Sequence, residues 1–270
     1  MPFTNREGIF FSQEIEIDEQ AAIVQNVVQT LDQLLPVDAI CVKATAKSPI
    51  PSCLSTDILV LPFIELNVLE FSANPPSFET WLAGRSRNFR STIRRKRRTF
   101  AQSGAVMETI IDPASHAEIL TELFNRTAAH AKSRGEILMP MSVGVPFFEH
   151  FHKHLGDRGL IRLARVGEKS VGFSMLLFSH DTVFFKFTGL DYEISSQNMT
   201  YFEIFYDIID RAVERGLRYV DMGSSTSHVK APLGCRQISK TYHVQFRRFL
   251  RPFGGIMSNL LGSRFGNIFD

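Results

Sequence analysis

Residues 182–230 read TVFFKFTGLDYEISSQNMTYFEIFYDIIDRAVERGLRYVDMGSSTSHVK. Thr182–Gly189 is rich in β-branched and aromatic residues, the composition of a strand. Tyr192–Asn198 is polar and reads as a loop. Met199–Arg215 carries apolar residues at helical spacing and is followed by Gly216, which suits a helix C-cap. Arg218–Met222 returns to strand character, and Gly223–Cys235 is a second polar loop. Strand, loop, helix and strand in this order make a βαβ-type unit.

Working upstream, Leu160–Val166 and Ser170–Ser179 are two further strands, joined by turns at Gly167-Glu168 and His180-Asp181. Before them the pattern predicts a helix over Pro146–Leu155, a loop over Arg134–Val145 and a helix over Asp112–Ala131 opened by Asp112-Pro113. Val106–Ile111 reads as a strand. Arg87–Gln102 is a helix with a thin apolar stripe of Phe89, Ile93 and Phe100, closed by Gly104. Ser77 caps a short helix with Phe78, Trp81 and Leu82 on one face. The segment SANPPS, Ser72–Ser77, is the best linker in the chain. Ahead of it come a strand at Gly8–Ile17, a helix at Asp18–Leu35 stopped by Pro36, a strand at Val37–Lys43, a loop at Lys47–Ser55, and strand character over Asp57–Phe71 broken at Pro62. Downstream, Tyr242–Leu250 is a last strand, and Arg251–Asp270 is a Gly-rich tail. The order strand, helix, strand, loop, strand occurs at Gly8–Phe71 and again at Thr182–Leu250. A pseudo-repeat and ordinary βαβ architecture both fit.

The 270 residues suit one large domain or two small ones. Apolar residues make up 44% and charged ones 21%, as in a soluble globular protein that buries a sizeable core. The 24 Phe imply an aromatic-rich core, or a pocket lined with some of them. Net charge is +2, but Arg85–Arg98 holds eight of the 30 basic residues and no acid; elsewhere 22 basic residues face 28 acidic ones. Cys41, Cys53 and Cys235 form neither a CxxC pair nor zinc-site spacing, and so sparse a set suits a reducing compartment. Residues 1–20 do not have the pattern of a secretory signal, and no run reaches the ~18 apolar residues of a membrane span. The expected location is cytoplasmic.

Three motifs carry a family resemblance. They are Ser77-Phe78-Glu79-Thr80-Trp81-Leu82 with Phe89-Arg90-Ser91-Thr92-Ile93-Arg94-Arg95-Lys96-Arg97-Arg98; Val171-Gly172-Phe173 with Phe187-Thr188-Gly189-Leu190-Asp191; and Arg215–Gly223 (RGLRYVDMG) with Lys230 and Gly234 after it. Together with the element order they resemble the GNAT superfamily, most closely its FemAB-like and CelD-like branch of peptidoglycan-biosynthesis relatives, over Ser77–Leu250. The resemblance implies an α/β fold: a GNAT-like mixed sheet flanked by helices, with a shortened second GNAT-like half at the N-terminus. The implied divisions are 1–72 for that half, 77–250 for the acyltransferase domain and 251–270 for a tail docked on the domain, on a second subunit or at a membrane surface. The shortened half leaves open where the acceptor site is built.

The implied activity is transfer of an acyl or aminoacyl group from acyl-CoA, acyl-carrier protein or aminoacyl-tRNA to a small amine. In such folds the donor's pantetheine arm pairs with the edge of a splayed strand, and its phosphates sit at the N-terminus of the next helix. The corresponding donor-binding residues here are Phe187, Gly189, Ser195, Ser196, Gln197, Asn198 and Thr200. The superfamily's Q/R-x-x-G-x-G/A signature for coenzyme A has no glycine in this stretch. That departure weakens the case for free acetyl-CoA, and a loop whose Ser and Asn cap the helix fits equally well. Relatives carry a lysine near the donor's reactive end where Lys230 stands; a cation there holds phosphate or an oxyanion. His228 is a candidate general base, Asp221 its orienting partner, and Tyr242 a candidate acid toward a leaving thiol. Each also has a plain reading: a solvated lysine, a surface histidine, a strand-end carboxylate bonding loop amides, a packed tyrosine. No Ser-His-Asp spacing argues for a covalent intermediate, so direct attack by the amine is the simpler mechanism.

The basic helix, with Arg90, Arg94, Arg95 and Arg98, suits tRNA phosphates, a phosphopantetheine or an acidic carrier surface, and equally a solvated helix face. Its aromatics share the buried stripe, which argues against base stacking. Two other functions stand beside acyl transfer: a non-catalytic binding module that keeps the fold, and an RNA-binding protein using the basic helix. No ligand cluster suggests a metal. A homodimer is compatible with the sequence.

Overall fold

A computed structural model of the chain describes residues 15–34, 39–45, 58–62, 65–72, 75–134 and 143–246. The strand expected at Gly8–Ile17 falls mostly outside them, as do much of the 134–145 loop and the whole tail. The chain divides into two compact units, one formed by 1–66 with 237–270 and the other by 67–236.

In the first unit α1 (Ile17–Leu34) precedes β1 (Ala39–Thr45) and β2 (Ile58–Pro62). Val24 and Val28, one turn apart, are its buried positions. β1 and β2 do not pair with each other. Between them lies β10 (Lys240–Phe246), antiparallel to both, with Tyr242 opposite Lys43 on one side and Leu61 on the other. This strand was expected to close the 77–250 domain. Conversely β3 (Leu66–Glu70), expected in the 1–72 half, pairs with β8 of the larger sheet, Val68 opposite Asp221 and Glu70 opposite Tyr219. The two stretches exchange strands.

The second unit is built on a seven-stranded sheet in the order β4-β5-β6-β7-β8-β3-β9. β4 (Ala105–Ile110), β5 (Gly159–Val166), β6 (Lys169–Phe178) and β7 (Thr182–Leu190) form an antiparallel meander. β8 (Tyr219–Asp221) is parallel to β7, and β9 (Arg236–Ile238) closes the far edge. Helices cover both faces. On one lie α4 (Ala117–Ser133), α5 (Val145–Glu149) and α6 (Phe151–Leu155), packed on Ile161, Leu163, Phe173 and Met175. On the other lie α2 (Phe78–Ala83), α3 (Arg87–Gln102) and α8 (Thr200–Glu214), packed on Leu69, Leu176, Val183 and Val220. Alternation along the strands sends their apolar residues to these two cores. Among the described residues no helix is long and apolar enough to cross a membrane.

Local chemistry sets the helix ends. Ser77 Oγ accepts from Thr80 N–H at 3.2 Å and Ser86 Oγ from Phe89 N–H at 3.3 Å, capping α2 and α3. Asp112 Oδ1 takes Ala114 N–H, and the predicted Asp112–Ala131 helix begins as a 3₁₀ turn over 114–116. The stretch Tyr192–Asn198, read as a loop, is a helix (α7) capped by the Asp191 carboxylate on Ile194 N–H. It is held from outside, since Tyr192 stacks on His130 of α4 at 3.8 Å. A four-residue helix, α9 (Ser227–Lys230), and a 3₁₀ turn over 231–233 lie within the predicted 223–235 loop.

Gly189 is where α4 meets β7. A Cβ there would stand 2.3 Å from Phe173 Cε1 and 2.6 Å from the Leu123 carbonyl carbon. Backbone on one side and a fully buried ring on the other leave nothing that yields cheaply. Gly189→Ala is therefore expected to lower the unfolding free energy by about 2–3 kcal/mol, read by urea denaturation. A loss below about 0.5 kcal/mol would show that α4 packs less tightly than this.

Candidate active site

β7 and β8 pair over three positions only, Thr182 with Tyr219, Val183 with Val220 and Phe184 with Asp221. β8 ends at Asp221, and its ladder to β7 ends there with it. On the other flank of β7 the register to β6 slips: Leu176 faces Phe185 and Met175 faces Phe187, so Lys186 is an extra, bulged residue. The bulge reverses the side-chain alternation. Phe185 turns to the α8 face, edge-on to Phe205 at 5.7 Å, whereas Phe187 turns to the α4 face against Phe124 and Phe147. The donor-binding reading joined Phe187 with Gly189; both pack in the α4 core, and Phe185 is the aromatic that faces α8.

The segment 223–234 follows β8 and is held at several points. Asn67 Nδ2 donates to the Gly223 and Ser224 carbonyls at 2.9 and 3.2 Å. The Tyr201 and Thr226 hydroxyls share a hydrogen bond of 2.7 Å, tying the segment to the first turn of α8. Met199 and Thr226, the two non-glycine residues with positive φ among those described, flank this contact at +65° and +55°. Lys230 Nζ donates to the Ser225 carbonyl.

Lys230 is 1% exposed, and its ammonium sits 5.7 Å from the centre of the Phe205 ring. Burial pulls its pKa down to about 8, with Cys235 and Asp221 opposing the fall. Burial pushes the Cys235 thiol up to about 12. Asp221 Oδ1 accepts Gly223 N–H at 2.9 Å, the strand-end role open to it from sequence. Lys230 and Asp221, both buried, and the half-buried Cys235 therefore form one polar cluster behind Phe205. His228 is outside it, exposed, and makes no hydrogen bond or ion pair among the described residues. Tyr242 lies on β10, in the sheet of the other unit, where burial raises its pKa.

In front of Phe205 is a cleft of about 510 Å³ between α3, α8 and α9. Its floor is Ile93, Phe205, Tyr206 and Leu233, all buried. Burial pushes the Tyr206 phenol up to about 12, so it stays neutral. Phe89, Phe202, Val229 and Pro232 form the walls. Asn88, Thr92, Lys96 and His228 supply the polar rim, with the Lys96 ammonium 3.1 Å from the centre of the Phe202 ring. Of these residues only His228 was a candidate site residue from sequence; Phe89 and Ile93 were read as the apolar stripe of α3. The aromatic run Tyr201-Phe202 with Phe205-Tyr206 was legible, but α8 is apolar on most sides, and periodicity alone does not say which face borders a cavity.

The next face of α3 is basic. Arg87, Arg94, Arg95 and Arg98 are exposed; Arg94 and Arg95 lie one turn before Arg98, and Arg87 about two turns before them. Arg94 pairs with Glu79 at 3.2 Å, and Arg90 closes the α2–α3 turn by donating to the Arg85 carbonyl at 2.6 Å. The guanidinium groups of Arg87, Arg95 and Arg98 make no hydrogen bond or ion pair among the described residues. Arg97 faces inward and fastens α3 to α8 through Glu203 at 3.0 Å.

The start of α8 is partly closed. Asn198 Oδ1 accepts from Thr200 N–H at 3.0 Å and from Thr200 Oγ1 at 2.6 Å. Ser195 and Asn198 are buried, Ser196 and Gln197 exposed. Asn198 thus takes one amide at the start of α8, while the N-cap residue Met199 makes no side-chain cap. Among the described residues no group of three His, Cys, Asp or Glu side chains is placed to hold a metal.

A short parallel pairing beside a bulge, with a long helix between the two strands and a held segment after them, has a counterpart among known families. Residues 87–231, more than half of the chain, match the family model described as an acetyltransferase (GNAT) domain. The chain belongs to the GNAT acyltransferases. Comparison with curated proteins finds no match. Among solved structures this GNAT protein is similar in fold to FemX, with a TM-score of 0.64 at 10% identity over 93% of this chain and 81% of that one. It is also similar to L-PGS from Bacillus licheniformis, with a TM-score of 0.55 at 11% identity over 91% and 79%. A conserved protein of unknown function from Bacteroides thetaiotaomicron gives 0.56 at 12% identity over 84% and 75%. At these identities the likeness is one of fold.

Proposed function

We propose that the chain is an N-acyltransferase whose thioester or ester donor enters the cleft between α3 and α8 and whose acceptor is a small amine. The observation that carries this reading is the juxtaposition of two features: an apolar cleft over Phe205, and unpaired arginines along the adjoining face of α3. Phosphates of a coenzyme A, a carrier phosphopantetheine or a tRNA would find their counter-charge on Arg87, Arg95 and Arg98, because Asn198 already takes part of the α8 helix start. His228, on the rim, takes the proton from the attacking amine. The nitrogen bonds to the acyl carbonyl carbon, the tetrahedral intermediate collapses, and the thiol or hydroxyl leaves with a proton.

Cys235 supports direct attack over an acyl-enzyme. A thiol held near pKa 12 supplies almost no thiolate at neutral pH. Lys230, buried against Phe205 and the Ser225 carbonyl, acts in this reading as a positioning residue that shapes the crossing segment. The sparse cysteines favour a cytoplasmic setting; an acyl-carrier protein or tRNA as donor, and a homodimeric state, remain part of the proposal.

The test is mass spectrometry of products formed from acyl thioesters and a panel of amines. An amide product is expected, with kcat reduced about 100-fold in His228→Ala and donor binding retained. Absence of amide from thioester and aminoacyl-tRNA donors alike would sink the reading.

A further inference from the structure

The acyl group itself is constrained by the cleft, and this inference rests on the acyltransferase reading above. The floor is apolar: Ile93, Phe205, Tyr206 and Leu233 line a half-open space of about 510 Å³. An acetyl group would fill a small part of it and leave the rest as wet apolar surface, which is unfavourable. An aminoacyl group meets a second obstacle. Its ammonium would have no carboxylate among the lining residues, and the nearby Glu203 is already paired with Arg97. It would instead face Lys96 on the rim, with Lys230 behind Phe205 and the arginine stripe alongside. Like charges in so apolar a space repel strongly.

A neutral hydrocarbon has neither problem. Its chain covers the floor, and the anionic carrier that delivers it is drawn to the cationic rim. We propose that the transferred group is an apolar acyl chain of several carbons, carried on a phosphopantetheine thioester, with its hydrocarbon in the α3–α8 cleft and its phosphates on the Arg87, Arg95 and Arg98 face. The cleft so occupied selects donors by chain length.

The experiment measures dissociation constants by calorimetry for acetyl-, butanoyl-, hexanoyl- and octanoyl-CoA, and for the same groups on an acyl-carrier protein, with the full-length protein and no acceptor present. Affinity is expected to rise about threefold to fourfold per CH₂ removed from water, then to level off once the cleft is full. Such a rise in either arm supports the proposal, and the arm that shows it identifies the carrier. Thr92→Trp, on the exposed rim, and Val229→Trp, in the wall, both fill the cleft and should flatten the series; the rim substitution keeps the test available if the wall variant does not fold. A flat series in both arms overturns the proposal and assigns the cleft to the acceptor or to another segment of this chain. If amide still forms from acetyl-CoA in that case, the acyltransferase reading stands alone. If no thioester yields amide, that reading fails separately.

Discussion

Replacing Arg162 with leucine is expected to lower the unfolding free energy by about 3–5 kcal/mol. Arg162 projects from β5, and Asp207 from α8; both are buried. Arg162 Nε donates to Asp207 Oδ2 at 2.9 Å and Nη2 to Oδ1 at 2.8 Å, a bidentate pair. Nη1 reaches Thr109 Oγ1 at 2.6 Å and Nη2 the Met107 carbonyl at 3.1 Å, so each of the three guanidinium nitrogens has a partner. Removing it leaves the Asp207 carboxylate in the interior with Arg211 Nε at 3.9 Å as its remaining cation. That is an uncompensated buried charge, the costliest way to break such a pair. Asp207→Leu alone orphans the guanidinium in the same way. The double substitution removes both charges and should recover most of the loss, because a dry pair of this kind contributes little net stability over an apolar one. Urea unfolding of the two single variants and the double variant measures this. Single losses below about 1 kcal/mol, or a double variant as unstable as the sum of the singles, would contradict it. Since this pair anchors α8 to the sheet, the single variants should also weaken donor binding in the cleft.

The second large effect depends on pH. Burial lowers the Lys230 pKa from its usual 10.5 to about 8. Below pH 8 the lysine carries its proton in both folded and unfolded chains, and holding that charge in the interior costs the folded state about 3 kcal/mol. As pH rises from 8 toward 10.5 the folded lysine is neutral while the unfolded one still binds a proton, so stability increases. Cys235 works the other way. Its pKa rises from 9.0 to about 12, so above pH 9 the unfolded thiol ionises first and stability falls. The lysine therefore acts alone between about pH 8 and 9. There the wild-type protein should gain stability relative to Lys230→Met at a rate approaching ~1.4 kcal/mol per pH unit. Denaturation curves of both proteins at pH 7, 8, 8.5 and 9 read the difference, and equal slopes would show that the ammonium is hydrated.

The elements that sequence made legible share a cause. The α3 boundaries follow from Ser86, a regular apolar stripe and Gly104, all local signals. The β5–β7 meander is announced by apolar runs and Gly or Asp turns. Where the decisive partner is distant in sequence, the reading fails or stays open. α7 is polar and aperiodic, and a tertiary stack on His130 helps hold it in helical form, so composition made it a loop. Gly189 was legible as a special position, but whether its missing side chain makes room for a ligand or for a helix depends on α4, some 65 residues earlier. Lys230 was singled out as a cation for phosphate or an oxyanion; its burial was not foreseeable, because lysines are almost never fully buried. The cleft was invisible as a cavity, since it arises only when α3 and α8, more than 100 residues apart, are fastened by Arg97 and Glu203.

The pairing of β10 between β1 and β2 has a kinetic meaning. Cys41 finds its partner at Val244, a separation of about 200 residues, so closing this small sheet carries one of the largest loop entropies the chain offers. On the ribosome, β1 and β2 emerge first and wait without their central strand until residue 246 has left the exit tunnel, while the meander of the larger sheet folds from neighbours. Assembly of the three strands is then the late, slow step, and the interval before it is when the chain is most open to chaperones and to edge-to-edge aggregation.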